Sequence, residues 1–243
     1  MARYRRAVSA IRAAGLERPI HAIAGSMYAV DTKEPVFHLT YDDGPHPEVT
    51  LAVLEALEEH QAPATFFVLT RLAQLHPDLI DETLARGHTI ALHTRTHPRL
   101  SDVSWRQLID EVHTARRDLE AVTKRPVRWF RPPYGAEGMR SIPVVRASRM
   151  RTVGWSADSH DWKGLTADDP LRNTTKNIAP GGIALLHDVP VGASAAEDLA
   201  KGYITKGDLT RALLDELRKR GIRPVSLQGL LACGPALRRA KLA

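Results

Sequence analysis

Cysteine is nearly absent, with only Cys233 among the 243 residues. A single cysteine excludes an intramolecular disulfide and any metal site built from several thiolates. No run of about 18 apolar residues occurs, so the sequence predicts no transmembrane helix. Glycine and proline each occur 16 times without a fixed period, and the hydrophobic fraction is 43%. These values exclude collagen-like repeats and intrinsic disorder and are ordinary for a globular protein.

Several recognition motifs are missing as well. No G-x-G-x-x-G follows a predicted strand and no G-x-x-x-x-G-K-[ST] occurs, which leaves no basis for a dinucleotide or P-loop site. Zinc-finger spacing and RNP-like aromatic motifs are also lacking, so we expect no nucleic-acid partner. Aromatic residues make up only 5% of the chain. A long, aromatic-lined polymer groove is therefore not evident, although Trp155 and Trp162 could form part of one.

Acidic residues are outnumbered, which gives a net charge of +6 and a pI near 9.7. Such a balance could indicate nucleic acid, an anionic envelope polymer or a membrane surface, but a solvated basic surface is the simpler interpretation. Much of the excess lies near the two ends of the chain, at Arg3, Arg5, Arg6, Arg12, Arg238, Arg239 and Lys241. The first 15 residues lack the apolar run of roughly 7–15 residues found in signal peptides, and Arg12 interrupts the only candidate. We expect a cytoplasmic protein, or an envelope or extracellular one if an export signal has been removed.

From residue 36 onward, short β-rich runs alternate with longer amphipathic stretches. Strands are predicted at 36–40, 65–69, 88–92, 127–130, 151–155, 182–187 and 223–227. Helices are predicted at 47–60, 77–86, 104–122, 141–149, 170–177 and 207–220, with a peripheral helix at 4–16. This alternation predicts a parallel sheet with helices outside it. The pattern alone leaves a (β/α) barrel and an open doubly wound sheet equally possible.

Polar side chains collect where predicted strands end, the position at which α/β folds build active sites. Asp42 and Asp43 follow the first strand, and two adjacent carboxylates are unfavourable unless a cation or a proton resolves them. His93 and His97 follow the third strand and could converge on one ion. Together with Asp43 they would form a two-histidine, one-carboxylate metal site with open positions. Taken singly, the aspartates could be an ordinary turn and the histidines surface residues.

The loop after the next strand reads Arg131-Pro132-Pro133-Tyr134-Gly135. Its prolines fix the backbone and cannot donate, so Tyr134 supplies the first free N–H, as an oxyanion hole would require. Arg131 could clamp the Asp42 carboxylate bidentately, or it could be a surface arginine beside a structural turn.

Two further groups follow later strands. A carboxylate in the segment 158–162 could pair with a histidine and raise its pKa. His187 ends a very apolar strand, so it is either a buried structural residue or a general acid held in a fixed orientation.

In this order, T-Y-D-D-G-P, H-T-x-x-H, R-P-P-Y-G, D-x-x-D-W and L-x-H-D resemble the five signature motifs of the polysaccharide deacetylases. These are the NodB-homology, or carbohydrate esterase family 4, proteins, and the likeness spans about residues 36 to 227. The resemblance implies an α/β fold of the distorted, incomplete (β/α) barrel type, often with seven strands. It also implies a deacetylase domain at 35–232, between an N-terminal helical extension at 1–34 and a basic C-terminal tail at 233–243.

The same resemblance implies the role of each matching residue. Asp42 would be the catalytic base, oriented by Arg131. Asp43, His93 and His97 would bind one divalent ion, most simply Zn²⁺, with Co²⁺, Ni²⁺, Mn²⁺ and Fe²⁺ as alternatives. The remaining roles are an oxyanion contact from the backbone N–H of Tyr134, a general acid at His187, support for that histidine from Asp161, and groove walls at Trp162 and Leu185.

The implied activity is metal-dependent hydrolysis of an N-acetyl group on an amino sugar of peptidoglycan, a chitin-type oligomer or a similar glycan. Three alternatives stay open: N-deacetylation of a small intracellular metabolite, an O-acetyl esterase of the xylan type, and an inactive carbohydrate-binding homologue. The sequence does not indicate an oligomeric state.

Overall fold

The computed structural model describes residues 25–136, 138–166 and 168–239. Within these ranges, ten strands form one sheet. They are β1 (Ser26–Val30), β2 (Val36–Asp42), β3 (Ala64–Val68), β4 (Thr89–Leu92), β5 (Trp129–Phe130), β6 (Arg151–Thr152), β7 (Ala157–Asp158), β8 (Gly182–His187), β9 (Arg223–Pro224) and β10 (Ala236–Arg239).

The helices of the described residues lie mostly between consecutive strands. They are α1 (Val49–Glu59), α2 (Thr70–Leu75), α3 (Pro77–Ala85), α4 (Trp105–Ile109), α5 (Ala115–Thr123), α6 (Ser141–Ala147), α7 (Asp168–Thr175), α8 (Ala195–Ala200), α9 (Lys206–Lys219) and α10 (Leu227–Ala232). A π-helical turn, Asp110–Thr114, joins α4 to α5. None of the helices in the described ranges has both the length and the apolar character needed to cross a bilayer.

The sheet runs in the order β10-β1-β8-β2-β3-β4-β5-β6, with β7 also on β8 and β9 also on β2. A parallel bridge between Met27 and Val153 connects β1 to the chain just after β6, so the sheet curls back on itself. The predicted α/β barrel is confirmed. It has more than the expected seven strands because short two-residue strands and both ends of the domain join the sheet.

Alternating side chains divide the core between the two faces of the sheet. Phe66 and Phe130 pack outward with the helices, whereas Phe67, Trp129 and Ile183 belong to a separate cluster that α10 helps to cover. Strands β2 and β8 are buried along their whole length, as expected of parallel strands in the middle of an α/β sheet. Their carboxyl ends are therefore held rigidly.

Both ends of the part of the chain that the structure describes contribute a strand to the sheet. Strand β1 lies inside the predicted extension 1–34, and β10 lies inside the predicted tail 233–243; the two pair antiparallel, with Ser26 opposite Arg239. Of the predicted extension the structure describes residues 25–34, and the predicted helix at 4–16 lies outside the described residues. The basic residues at 238 and 239 thus belong to a sheet strand, because the edge of β1 needs a hydrogen-bonding partner.

Most predicted elements have different bounds in the structure, and two of these differences have a clear physical reason. The helix at 104–122 begins with a capping box between Ser104 and Gln107 but contains the π-helical turn. The strand at 223–227 stops at Pro224, since the Ser226 side chain accepts a hydrogen bond from the Gly229 N–H (3.0 Å) and so begins α10.

Candidate active site

Eight of the ten sequence-predicted site residues line one cavity of about 360 Å³, here called the strand-end cavity. They are Asp42, Asp43, His93, His97, Tyr134, Trp162, Leu185 and His187. The other two, Arg131 and Asp161, are almost completely buried, and they contact Asp42 and His187. The structure therefore brings together all ten residues, from five separate segments of the chain.

Parallel register explains this convergence. Asp42 at the end of β2 lies opposite His187 at the end of β8. The hydrogen-bond ladder also continues past the strands: the Asp43 N–H donates to the Phe67 carbonyl (3.2 Å) and the His93 N–H to the Val68 carbonyl (2.9 Å). The polar residues that follow each strand are consequently fixed at one edge of the barrel.

Asp43, His93 and His97 form a cluster that we call the metal triad. The Asp43 Oδ1 atom lies 3.4 Å from His93 Nε2 and 3.3 Å from His97 Nε2. The three candidate ligand atoms all lie within 4.8 Å of one another. One carboxylate and two imidazoles at this separation are a suitable donor set for a transition-metal ion.

The surroundings of the metal triad also fit a cation. His93 Nδ1 lies 2.8 Å from the Arg131 carbonyl, so it carries the proton and leaves Nε2 as the acceptor. Burial lowers the pKa of His93 to about 3, which keeps the imidazole neutral and able to ligate. Within the described part of the chain, the buried Asp43 Oδ1 has no hydrogen-bond partner. A buried carboxylate oxygen without a partner is unfavourable unless a ligand such as a cation satisfies it.

The backbone at the metal triad is strained. Asp43 has a φ of 78° and His97 a φ of 67°, both in the left-handed region that non-glycine residues seldom adopt. The His97 N–H donates to the Thr94 hydroxyl (3.0 Å), which helps to hold that turn. Strain of this kind persists only where surrounding contacts enforce it, and it is concentrated at functional sites.

Asp42 and Arg131 form a buried ion pair. Arg131 Nη1 lies 2.6 Å from Asp42 Oδ1 and donates also to the Thr40 hydroxyl at 2.8 Å. Burial raises the pKa of Asp42, and the nearby Arg131 charge opposes that rise. A carboxylate held in this way is oriented and is a better proton acceptor than an exposed aspartate.

The predicted pairing is correct, but the predicted bidentate clamp is wrong. Arg131 Nη2 donates to the Gly154 carbonyl (2.9 Å) and Nε to the Val153 carbonyl (3.1 Å). Two of its three nitrogens are thus committed to the backbone after β6, so only one contacts the carboxylate. Asp42 Oδ2 remains on the side of the metal triad, 3.7 Å from His93 Nε2.

His187 and Asp161 form the second oriented pair. His187 Nδ1 lies 2.7 Å from Asp161 Oδ1, and the His187 N–H donates to Asp161 Oδ2 at 3.1 Å. Burial lowers the pKa of His187, but the Asp161 carboxylate, with Asp42 and Asp43, outweighs burial and raises the pKa to about 9. The imidazole is therefore protonated at neutral pH and its Nε2–H is available as an acid.

Tyr134, Trp162 and Leu185 form the walls of the strand-end cavity. Tyr134 has a φ of 61°, and its ring packs edge-on against His97 with centroids 4.8 Å apart. Tyr134 is 59% exposed. Trp162 is 53% exposed and Leu185 is buried.

Sequence reasoning missed Lys206 at the start of α9. This side chain is 6% exposed, and Nζ lies 3.1 Å from Asp161 Oδ2 and 2.8 Å from the Asp161 carbonyl. Lys206 therefore compensates the buried Asp161 charge at Oδ2, whereas the His187 ring contacts Oδ1. No sequence signal identifies it, because a lysine 45 positions after its partner looks like any surface lysine.

It also gave no role to Asp188, the last residue of the L-x-H-D motif, which directly follows His187. The Asp188 carboxylate accepts the Gly44 N–H (3.1 Å) and the Thr50 hydroxyl (2.6 Å). Burial raises its pKa to about 7. A β-carbon at Gly44 would lie 2.2 Å from Asp188, so glycine is required for this close approach. Asp188 thereby fixes the turn that carries Asp43.

We predict that Lys206→Met lowers the free energy of unfolding by about 3 kcal/mol, because it removes one partner of a buried charge. The loss lies at the low end for a broken buried pair, since His187 still compensates Asp161. Urea titration followed by circular dichroism measures it. Lys201→Met is the matched control, because Lys201 pairs with Glu197 on an exposed helix surface and should change stability little. Equal losses in the two variants would show that Lys206 does not compensate Asp161.

The amino-acid sequence is similar to those of known proteins. The polysaccharide deacetylase family model matches residues 29–153. The chain is 35% identical to a chitooligosaccharide deacetylase of Azorhizobium caulinodans over 82% of its length and 96% of that protein. It is 30% identical to a peptidoglycan-N-acetylglucosamine deacetylase of Bacillus cereus over 79% of its length and 66% of that protein.

The fold is also similar to that of a solved structure. The fold superposes on the crystal structure of the Bc1960 peptidoglycan N-acetylglucosamine deacetylase with a TM-score of 0.74 and 27% sequence identity. The match covers 87% of this chain and 94% of the other. The similarity in fold thus extends over most of both chains.

Proposed function

The chain belongs to the polysaccharide deacetylase family, and on this basis we propose that it hydrolyses the N-acetyl group of an amino sugar and releases acetate. The observation that carries the proposal is the combination around one cavity of a metal triad, a carboxylate held by arginine and a histidine held by aspartate. The relatives named above act on chitooligosaccharides and peptidoglycan, which supports an N-acetylglucosamine-containing glycan as substrate.

Asp43, His93 and His97 are proposed to hold one divalent cation. Zn²⁺ is the simplest candidate for two neutral imidazoles and a carboxylate, although Co²⁺, Ni²⁺, Mn²⁺ or Fe²⁺ suits the same donors. The chemistry that such an ion supplies when bound is Lewis-acid polarisation of the acetyl carbonyl and activation of water.

Asp42 is proposed to accept the proton of the attacking water. Its carboxylate faces the strand-end cavity, where Oδ1 is held by Arg131 and Oδ2 lies near His93. Arg131 is a positioning residue, because it is 0% exposed and cannot reach substrate. The backbone N–H of Tyr134 is proposed to stabilise the developing oxyanion, as a rigid main-chain donor does in acyl transfer.

His187 is proposed to donate its proton to the leaving amine. The Asp161 contact to Nδ1 fixes the tautomer, so that the proton on Nε2 is the one released toward the cavity. Asp161 and Lys206 act as positioning residues behind this histidine. Trp162 and Leu185 are proposed to hold the sugar and the acetyl methyl group, respectively.

Acetate release tests the proposal. The purified protein, loaded with Zn²⁺, is incubated with chitooligosaccharides, peptidoglycan, N-acetylglucosamine and acetylated xylan, with and without a chelator. We expect acetate from the N-acetylated glycans and loss of that activity on chelation. Release from acetylated xylan alone would favour an O-acetyl esterase, release from the monosaccharide alone would favour a small-metabolite deacetylase, and no release from any substrate would favour an inactive carbohydrate-binding homologue.

The protonation state of His187 predicts an alkaline limit to activity. Because the raised pKa is about 9, the acid form is populated at neutral pH and kcat/KM should fall as the pH rises through that value. In His187→Asn the residual activity, lower by about 10²–10⁴-fold, should lose this alkaline limb. Profiles of kcat/KM from pH 7 upward measure it. If kcat/KM of the variant still falls in the same way at high pH, a group other than His187 is responsible for that fall.

A further inference from the structure

Glu111 is a buried acidic residue that does not line the strand-end cavity. It lies in the π-helical turn, three residues after the buried Leu108 and four before the buried Ala115, so it continues the inward-facing side of α4 and α5. A carboxylate that is 8% exposed at such a position is unfavourable unless polar groups compensate it. Because π-helical turns are rare and frequently occur at functional sites, the partners of this carboxylate indicate its role.

The Glu111 carboxylate accepts three hydrogen bonds from the loop that joins the two histidines of the metal triad. Its Oε2 atom accepts the backbone N–H groups of Arg95 (2.8 Å) and Thr96 (2.9 Å), and its Oε1 atom accepts the Thr96 hydroxyl (2.5 Å). One side chain thus holds two consecutive peptide groups in the segment from His93 to His97, whose first and last residues are the candidate ligands.

The two ends of this loop are held differently. The His93 N–H is anchored in the sheet, where it donates to the Val68 carbonyl (2.9 Å), whereas the His97 N–H donates to the Thr94 hydroxyl within the loop itself (3.0 Å). Thr94 has a φ of 74° and His97 a φ of 67°, and residues of this kind keep such values only where surrounding contacts enforce them. Glu111 supplies contacts of this kind immediately before His97.

The same helical segment also binds the loop through the Arg95 side chain. Arg95 Nη2 donates to Asp118 in α5 (2.6 Å), and Nε lies 3.2 Å from Asp110 in the π-helical turn. The Asp110 side chain is 52% exposed and the Asp118 side chain 34%, so water screens these ion pairs and they hold the loop weakly. Glu111 is better shielded and bonds to the main chain, which makes it the contact that fixes the backbone of the loop.

We propose that Glu111 is a positioning residue for the metal triad: it holds the loop so that His97 shares one cation with Asp43 and His93. The inference rests on the proposed function, because it requires the metal triad to hold a cation. Residues that orient metal ligands change metal affinity by about 10–100-fold when they are removed. Glu111 acts on the main chain between two ligands, and not through a hydrogen bond to a ligand imidazole.

Metal affinity tests the proposal without depending on turnover. The dissociation constant for Zn²⁺ is measured by calorimetry on the metal-free wild type and on Glu111→Ala, Glu111→Gln and Glu111→Asp. We expect Glu111→Ala to bind Zn²⁺ about 10–100-fold more weakly than the wild type. Thr96 is exposed, so water can satisfy the N–H groups that this variant releases, and the variant should still fold.

The other two variants separate position from charge. In Glu111→Gln the amide oxygen can accept both N–H groups and the amide nitrogen can donate to the Thr96 hydroxyl, so we expect an affinity within about threefold of the wild type. Glu111→Asp keeps the negative charge but is one methylene group shorter and cannot make all three contacts, so binding should weaken by about tenfold. A loss in Glu111→Gln as large as that in Glu111→Ala would overturn the inference, as would wild-type affinity in Glu111→Asp.

Glu120→Ala is the matched control. Glu120 lies in α5, and its Oε1 atom accepts the Val127 N–H (2.8 Å), so it also ties a loop to the helix but does not contact the loop between the histidines. Its removal should leave the Zn²⁺ affinity unchanged. Wild-type affinity in Glu111→Ala overturns the inference and leaves the proposed function intact. A wild-type protein that binds no divalent cation contradicts the metal triad of the proposed function, and this inference with it.

Discussion

Asp42→Asn is expected to reduce acetate release by about 10²–10⁴-fold while metal binding stays close to that of the wild type. The amide keeps the size of the side chain but cannot accept the proton of the attacking water. Measuring kcat at saturating substrate, together with the metal content of the dialysed protein, separates the two effects.

The two adjacent aspartates are expected to have different roles because their carboxylates contact different partners. Asp42 is 3% exposed and its Oδ1 is held by Arg131, whereas Asp43 Oδ1 lies between the two histidines of the metal triad. The change of backbone direction at Asp43, with its φ of 78°, sends two consecutive side chains to different partners. One residue can then ligate while the other serves as base.

Asp43→Asn provides the contrast to Asp42→Asn. The Asp43→Asn variant should bind the metal more weakly. Because the catalytic base, Asp42, is intact in this variant, part of its activity should return when excess metal is added. Asp42→Asn should not respond to added metal. Loss of metal from the Asp42 variant, or full turnover in it, would contradict the division of roles.

The sequence was most informative at the ends of the strands, where the apolar strand pattern and the polar motif that follows it indicate the same place in the fold. Buried parallel strands such as β2 and β8 are continuous apolar runs, and each ends in a polar motif, so the strand-end location of the site could be predicted. The pairing of Asp42 with Arg131 followed from charge and from the edge of the sheet that both occupy. Its one-nitrogen geometry could not be predicted, because it depends on the carbonyls of Val153 and Gly154, which no pattern of residue types reveals.

The features that sequence reasoning missed depend on contacts between distant, ordinary-looking segments. Strands β1 and β10 pair although more than 200 positions separate Ser26 from Arg239, and neither has a marked period-two pattern. Lys206 is indistinguishable from a surface lysine until α9 places it against Asp161. Asp188 had a usable signal, because a second acidic residue directly after a buried strand is unfavourable without partners, and Gly44 and Thr50 supply them.

A second large effect is expected from removing a ligand of the metal triad. His93→Ala should weaken metal binding by more than about 100-fold, because even residues that merely orient ligands change affinity by about 10–100-fold. When the metal concentration is limiting, the rate of acetate release should fall in proportion to the fraction of protein that still binds metal. The His93 residue is 2% exposed, and its Nδ1 contacts the Arg131 carbonyl, so the protein holds this ligand in a fixed orientation.

His60→Ala is the matched control, since His60 Nδ1 also donates to a backbone carbonyl, that of Ala56, but lies at the end of α1 near Asp215. Thermal unfolding supplies a readout that does not depend on turnover: metal that binds only the folded state raises the melting temperature. The wild type and His60→Ala should show this rise, and His93→Ala should not. A metal-induced rise of equal size in His93→Ala would mean that the ion is held elsewhere, and the assignment of Asp43, His93 and His97 as its ligands would have to be abandoned.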